Sequence, residues 1–141
     1  MSIYADTSFF ASLYLTDKHT AEAERRLRSR PSIPMTPLHV AEWMHAVEQH
    51  VFRKAISRAE ADLLVQRLRE HCAQGVWKPV AFPEQSLELC AQLAQQHTAL
   101  LGTRTLDTLH VAAALELKAE RFWTFDQRQE KLARAVGLRV S

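Results

Sequence analysis

The chain has few of the residues that build common nucleotide-binding, thiolate and membrane-spanning motifs. Its only glycines, Gly75, Gly102 and Gly137, stand far apart, which excludes a P-loop and a GxGxxG dinucleotide fingerprint. Cys72 and Cys90 form no CxxC pair and no disulfide-dense pattern, so we expect both to be reduced packing residues. The first residues lack a basic region followed by a long apolar stretch, and charges interrupt every later apolar run. We therefore expect a cytoplasmic protein that does not enter a membrane.

Short apolar segments alternate along the chain with segments whose apolar residues recur at helical spacing. The short segments predict strands at residues 2–5, 32–36, 76–82 and 121–125, with a last edge strand at 138–140. The periodic segments predict helices at residues 7–15, 20–29, 37–53, 57–75, 83–97, 106–118 and 127–136. Three helix starts carry recognisable signals: a capping box of Ser57 and Glu60, Pro83 in a first turn, and Thr105 as a cap.

This alternation of strands and helices predicts the fold class. Strands joined by helical crossovers form a mainly parallel sheet with helices packed on its faces. With 47% hydrophobic residues in 141, the chain can fill one compact core but not two. We therefore predict a single domain over residues 1–141, a three-layer α/β/α structure in which helix clearly exceeds strand.

Two aspartates follow predicted strands directly. Asp6 comes after the first strand and Asp126 after the strand at 121–125. In open α/β sheets the functional crevice lies beyond the carboxyl ends of the strands, so these two side chains are expected to face one another. The alternative is that each aspartate only caps the helix that follows it, as aspartate commonly does.

Asp107 lies in a helix that is apolar on nearly all sides, as buried helices are. An isolated carboxylate in such a place costs several kcal/mol unless a partner neutralises it. That partner is either a nearby arginine such as Arg104, in a structural ion pair, or a divalent cation.

Glu42 lies near the start of its predicted helix, where the helix dipole favours an anion. An acid in that position is as a rule solvated, so Glu42 by itself is weak evidence. Together with Asp6, Asp107 and Asp126, however, it makes a set of oxygen ligands that suits Mg²⁺ or Mn²⁺ better than zinc. Such ions activate water for in-line attack on phosphodiesters, so no nucleophilic side chain is needed.

The charge balance agrees with a polyanionic substrate. The formal net charge is only +2, which alone does not require a nucleic-acid partner. If the four acids gather in one cleft, however, 18 basic residues face only 12 remaining acidic ones. The surface around the cleft would then carry a surplus of six positive charges, which suits a nucleic acid held near a metal ion.

Five segments together resemble the PIN-domain signature, most closely that of the VapC-type toxins. They are ADTSFF at residues 5–10, AE at 41–42, LDTLHVAAA at 106–114, TFD at 124–126 and LARAVGL at 132–138. The resemblance implies a parallel sheet of four or five strands between helices, and a Mg²⁺- or Mn²⁺-dependent endoribonuclease that leaves 5′-phosphate and 3′-hydroxyl ends. It implies Asp6 and Asp107 as principal metal ligands, with Glu42 and Asp126 completing the acidic pocket.

Several neighbouring residues have secondary roles under this interpretation. The hydroxyls of Thr7, Ser8 and Thr124 can orient the ligands, although hydroxyls beside a helix start are more often caps. His110 lies on the same helical face as Asp107, and we expect it to be packed and hydrogen-bonded rather than a metal ligand. Candidate RNA contacts, for which a solvated helix face is the alternative, are Arg25, Arg26, Arg28, Arg30, Arg53, Lys54 and Arg104.

The resemblance also implies protein partners. A VapC-type toxin is held inactive by a cognate antitoxin whose C-terminal segment crosses the active-site groove, and homodimers are common in the family. Apolar residues of the early helices, including Trp43 and Phe52, can form that groove or can equally belong to the core.

Other functions remain open at this stage. A haloacid-dehalogenase phosphatase needs a second acid where this chain has Ser8, and a response-regulator receiver needs paired acids and a later lysine in register. Glu42 with His45 and Asp107 with His110 resemble di-iron ligand pairs, but the predicted strands argue against a helical bundle. A housekeeping PIN nuclease without an antitoxin, or a catalytically silent RNA-binding module, is the remaining alternative.

Overall fold

Short strands alternate with helices along residues 2–140, the part of the chain that the computed structural model describes. The strands are β1 Ile3–Ala5, β2 Ile33–Met35, β3 Trp77–Pro79 and β4 Arg121–Trp123. The helices are α1 Thr7–Tyr14, α2 Thr20–Leu27, α3 Pro37–Phe52, α4 Arg58–Ala73, α5 Ser86–Leu93, α6 Ala99–Leu101, α7 Thr105–Glu116 and α8 Gln127–Ala135. A π-helical segment, Ala94–Thr98, joins α5 to α6.

The strands pair in parallel, as predicted. β1 pairs with β4 so that Ala5 lies opposite Trp123, and β2 pairs with β3 so that Ile33 lies opposite Trp77. The expected fifth strand at residues 138–140 is reduced to one parallel bridge between Arg139 and Arg121. The four strands therefore form two parallel pairs, ordered β1–β4 and β2–β3.

A buried histidine joins the ends of β1 and β2, which lie side by side. His39 donates from Nε2 to the carbonyl oxygen of Ala5 at 2.7 Å, and its Nδ1 accepts from the backbone N–H of Thr36 at 3.0 Å. Burial, followed by the nearby His110, lowers the pKa of His39 to about 3, so the imidazole is neutral. A side chain thus connects the two strand pairs at the edge where the site lies.

Both faces of the sheet are covered, which confirms the three-layer α/β/α prediction. Alternate side chains of β1 and β4 enter opposite cores: Ala5 and Trp123 pack with residues of α1 to α4, whereas Tyr4 and Phe122 pack with residues of α5, α7 and α8. Short parallel strands buried on both faces are typical of α/β proteins. Within residues 2–140 no helix combines the length and the apolar content needed to cross a lipid bilayer.

Most helix boundaries match the sequence within one or two residues, and the capping box of Ser57 and Glu60 is present. Two predicted starts are wrong. Helix α5 begins at Ser86, so Pro83 lies before the helix rather than in its first turn. Helix α7 is capped at Arg104 rather than at Thr105, because the Asp107 carboxylate reaches back to the Arg104 backbone N–H at 3.2 Å.

Candidate active site

The carboxyl ends of β1 and β4 meet because these strands are parallel and adjacent. The backbone N–H of Asp6 donates to the carbonyl oxygen of Trp123 at 3.0 Å, which fixes the residues after the two strands side by side. Asp6 caps α1 and Asp126 caps α8. The capping interpretation of both aspartates is therefore correct, and it does not compete with their meeting at one edge of the sheet.

Asp6 is fully buried and its carboxylate is held by neutral donors. Its Oδ1 accepts from the Ser8 hydroxyl at 2.6 Å and from the Phe9 backbone N–H at 3.2 Å, and its Oδ2 accepts from the Thr124 hydroxyl at 2.7 Å. Burial raises the pKa of Asp6, and the nearby His110 and these hydrogen bonds offset only part of the rise. Burial thus disfavours the ionised form of Asp6 more than its neighbours favour it.

Asp126 and Asp107 are joined through one glutamine. Asp126 Oδ1 accepts from the backbone N–H groups of Arg128 and Gln129 at 2.9 and 3.0 Å. The Gln129 side chain donates from Nε2 to Asp107 Oδ1 at 3.2 Å. Asp107 is also paired through Oδ2 with Arg104 Nε at 3.3 Å, although the Arg104 side chain is 72% exposed. Of the two partners foreseen for Asp107, the structure shows the arginine.

Glu42 has a different kind of environment, because a histidine and a hydroxyl hold it. Thr7 donates to Glu42 Oε1 at 2.8 Å, and His110 donates from Nε2 to the same oxygen. Since Nε2 is the donor, His110 Nδ1 accepts from the Tyr4 hydroxyl at 2.7 Å in the neutral imidazole. Burial pushes the pKa of Glu42 upward, but the hydrogen bonds from His110 and Thr7 bring it below its ordinary value.

Hydrogen bonds join three of the four acids, and Glu42 belongs to a neighbouring group. Thr124 links Asp6 to Asp126, because its hydroxyl also accepts the Asp126 backbone N–H at 2.9 Å. Gln129 then links Asp126 to Asp107, while Thr7 and His110 tie Glu42 to the helices that follow Asp6 and contain Asp107. Three of the sequence candidates, Asp6, Asp126 and Asp107, thus belong to one chain of hydrogen bonds. Glu42 belongs to a second hydrogen-bonded group with Thr7 and His110, and we call the two groups together the acidic network.

Two residues of the network, Gln129 and Tyr4, were not predicted from the sequence. Gln129 follows Asp126 at the spacing of a capping box, a signal that predicts a helix start but gives no reason to expect contact with Asp107. Tyr4 reads as an ordinary strand residue, and its hydrogen bond to His110 depends on how β1 packs against α7. His110 itself is buried and hydrogen-bonded on both ring nitrogens, as predicted for a packed role.

The donor set fits a hydrated cation better than an enclosed metal cage. Within residues 2–140 no three His, Cys, Asp or Glu side chains converge closely enough to hold a metal ion. Mg²⁺ characteristically keeps several waters and takes only one or two carboxylates directly, so close convergence is not required. The buried Asp6 carboxylate, with its raised pKa, is the group that a divalent cation would compensate.

The candidate RNA-contact residues differ in exposure and in their partners. Arg25 is paired with Glu22, and Arg26 packs over the rings of Trp123 and Phe125 with its side chain only 15% exposed. Arg104 is exposed and directly bonded to Asp107. The remaining candidates lie exposed on the surface, namely Arg28, Arg30, Arg53 and Lys54. Arg104 is therefore the candidate whose contact with the acidic network is established by the structure.

The two candidate groove residues differ in burial. Trp43 is fully buried and belongs to the core, whereas Phe52 is 87% exposed at the end of α3. A cavity of about 580 Å³ opens between α1, α3 and α4. Its lining includes His50 and Ile56, which lie near Phe52 in the sequence, and Leu64. Of the two alternatives for Trp43, groove or core, the structure shows the core.

Comparisons with known proteins place the chain in a family. The PIN domain model matches residues 3–135, and no curated protein matches the chain. Among solved structures, VapC20 of Mycobacterium tuberculosis, a toxin that cleaves the sarcin-ricin loop, is 20% identical, with a TM-score of 0.68 over 97% of this chain and 96% of that one.

Two further solved structures are similar to this chain. VapBC2 of Rickettsia felis, bound to a DNA fragment from its promoter, is 14% identical, with a TM-score of 0.69 over 100% and 98% of the two chains. FitAcB of Neisseria gonorrhoeae is 18% identical, with a TM-score of 0.72 over 98% and 95%. At these identities the likeness establishes a shared fold. Because the PIN domain model matches residues 3–135, almost the whole chain, this chain belongs to the PIN domain family.

Proposed function

We propose that the chain is a divalent-metal-dependent endoribonuclease and the toxin of a type II toxin-antitoxin pair. The observation that carries this proposal is the acidic network, in which hydrogen bonds join Asp6, Asp126 and Asp107 at the carboxyl edge of β1 and β4. Glu42 is held by Thr7 and His110, which lie on the helix after Asp6 and on the helix of Asp107. The similarity to VapC20, which cleaves an RNA, supports the same chemistry. The expected products carry 5′-phosphate and 3′-hydroxyl ends.

Asp6 and Asp107 are the proposed cation-holding residues, with Asp126 beside them. A bound Mg²⁺ or Mn²⁺ would supply an activated water and stabilise charge on the phosphate. Ser8 and Thr124 hold the two Asp6 oxygens in place, so the carboxylate is oriented before any ligand arrives. Arg104, which now pairs with Asp107, is free to turn its exposed guanidinium toward an RNA phosphate.

Glu42 is the proposed proton acceptor. Its pKa is lowered, so it is ionised at neutral pH, and its side chain is 25% exposed. Thr7 and His110 both donate to Oε1, which leaves Oε2 as the oxygen offered to the attacking water. His110 and Thr7 then set the direction of the Glu42 carboxylate without contacting the substrate.

A cognate antitoxin and a second copy of the chain are the proposed protein partners. VapBC2 and FitAcB are the similar structures that support an antitoxin. Exposed Phe52 and the cavity lined by Ile56 and Leu64 provide an apolar surface for such a segment. Exposed leucines on α5, α6 and α7 are available for a homodimer contact, namely Leu87, Leu100 and Leu106.

Cleavage of a structured RNA pool with Mg²⁺ or Mn²⁺ tests the nuclease proposal. We expect the Asp107→Asn variant to lose at least about 100-fold in cleavage rate, because the carboxylate charge disappears while its shape remains. Glu70→Gln, which changes an exposed acid of α4 in the same chemical way, is the matched control and should cleave normally. EDTA should abolish cleavage by both the wild type and the control.

The other outcomes point elsewhere. Cleavage that persists in Asp107→Asn would show a contaminant or a different site. RNA binding without cleavage under Mn²⁺ would favour a silent binding module. Growth arrest on expression, relieved by Asp107→Asn and by a co-expressed protein encoded next to the gene, would separate a toxin from a housekeeping nuclease.

A further inference from the structure

Gln129 stands between two of the four acids. Its backbone N–H donates to Asp126 Oδ1 at 3.0 Å, and its side-chain Nε2 donates to Asp107 Oδ1 at 3.2 Å. The residue is only 6% exposed, so neither contact is a chance encounter of mobile surface groups. Gln129 therefore fixes the position of Asp107 relative to the start of α8.

The carbonyl oxygen of the same amide has no partner. Gln129 Oε1 is buried and accepts no hydrogen bond within the part of the chain that the structure describes. The amide cannot be turned to remedy this, because Oε1 would then face the Asp107 carboxylate, oxygen against oxygen. Buried polar atoms are nearly always satisfied in folded proteins, and an unsatisfied one is unfavourable. An unpartnered acceptor on an amide that already bonds the Asp107 carboxylate is thus suited to a ligand that brings positive charge or donors.

We propose that Gln129 is a positioning residue of the cation site, holding Asp107 through Nε2 and offering Oε1 as a neutral oxygen to a hydrated divalent cation. Amide carbonyls are accepted ligands of hard cations, so the chemistry agrees with that of the surrounding acids. This inference rests on the proposed function, since the cation is the one that Asp6 and Asp107 would hold. It adds a fifth side chain to the four acids and assigns a role to the unpartnered oxygen.

Mn²⁺ binding, measured by the electron paramagnetic resonance signal of free Mn²⁺ during titration, tests the proposal without using activity. Gln129→Met keeps the length and the burial of the side chain but removes both the donor and the acceptor. We expect the Kd for Mn²⁺ to rise about 10- to 100-fold. Gln127→Met, an exposed glutamine of the same helical turn, is the matched control and should bind as the wild type does.

Thermal unfolding in EDTA separates this role from a packing role. Gln129→Met loses an unsatisfied carbonyl and also the Nε2 donor to Asp107, two changes with opposite effects on stability. We therefore expect its unfolding midpoint to stay close to that of the wild type while its Mn²⁺ binding weakens. A folded Gln129→Met that binds Mn²⁺ within twofold of the wild type overturns the proposal. If Gln129→Met does not fold, Gln129→Asn is measured instead, because it keeps the amide but shortens the side chain by one methylene. A Kd for Mn²⁺ equal to that of the wild type in Gln129→Asn also overturns the proposal.

The two proposals fail in distinguishable ways. A wild-type protein that binds no Mn²⁺ overturns both the cation site and the role of Gln129. A wild type that binds Mn²⁺, with variants that bind it equally well, overturns only the role of Gln129.

Discussion

Asp6 and Glu42 belong to the same acidic network, yet their environments are opposite. Asp6 is fully buried, and its three side-chain hydrogen bonds come from neutral donors. Glu42 is 25% exposed, and His110 lies in direct contact with it. The pKa of Asp6 is raised chiefly by burial, whereas His110 and Thr7 outweigh burial at Glu42 and lower its pKa.

The difference suggests a division of roles within one site. An anion buried among neutral donors is costly until a positive charge reaches it, so Asp6 favours a bound cation. An anion already compensated by a histidine is stable by itself and remains ionised, so Glu42 suits proton transfer. Three predictions test this contrast.

The largest effect is expected from Asp6→Asn in the presence of metal. A cation at a concentration of 100 times its Kd stabilises the wild type by about 2.7 kcal/mol. Asp6→Asn should lose nearly all of this stabilisation, together with at least about 100-fold in cleavage rate. Glu42→Gln should lose cleavage to a similar extent but keep the stabilisation by metal, because it removes the proton acceptor and not the cation's principal anion. Unfolding with Mn²⁺ and with EDTA measures the difference.

Equal loss of metal stabilisation in the two variants would contradict the division of roles. It would mean that Glu42 and Asp6 hold the cation together. A normal response to Mn²⁺ in Asp6→Asn would remove Asp6 from the cation site altogether.

The second prediction concerns the pH dependence of stability in EDTA. A raised pKa in the folded state means that Asp6 destabilises the folded protein increasingly as pH rises from about 4 toward that raised value. Relative to the wild type, Asp6→Asn should therefore gain stability as pH rises through this window. Glu42 has a lowered pKa, so it contributes stability above about pH 4.3 that is lost as pH falls. Relative to the wild type, Glu42→Gln should lose stability as pH rises through its own window.

Urea unfolding between pH 3 and 8 measures both differences. The test uses the slope with pH of the difference in unfolding free energy between variant and wild type. It does not use the absolute difference, because each substitution also alters hydrogen bonds. Slopes of the same sign would show that the two carboxylates have similar environments.

The smallest effect is expected from Tyr4→Phe. The variant loses the hydrogen bond to His110 Nδ1 and leaves that nitrogen buried without a donor, which costs about 1–3 kcal/mol. Cleavage should stay within about tenfold of the wild type, because Tyr4 acts on Glu42 only through His110. Urea unfolding in a double-mutant cycle with His110→Leu isolates the pair, and the effect of Tyr4→Phe should shrink when His110 is absent. An undiminished effect would assign the loss to packing with Phe122 instead.

Local patterns were enough to locate most elements and the four acids. Periodic apolar residues marked α3, α4 and α7, and the short apolar runs marked all four strands. The predicted boundaries are wrong where a hydrogen-bond or strand partner that local patterns do not show sets the end of an element. Asp107 took over the capping role predicted for Thr105, because its carboxylate reaches the Arg104 backbone N–H. The strand expected at 76–82 ends at Pro79, opposite Met35, because its partner strand β2 ends there and the chain continues into α3 at Pro37.

The sequence alone determined that this is a parallel α/β protein with acids at the carboxyl ends of β1 and β4, because hydrophobic period and chain order are local properties. Only the tertiary structure decided how those acids differ. Burial and hydrogen-bond partners depend on which helix packs against which strand, and so His110 reaches Glu42 while Asp6 receives only neutral side-chain partners. The same packing leaves the Gln129 carbonyl oxygen buried without a donor in residues 2–140, a feature with no signature in the order of residues.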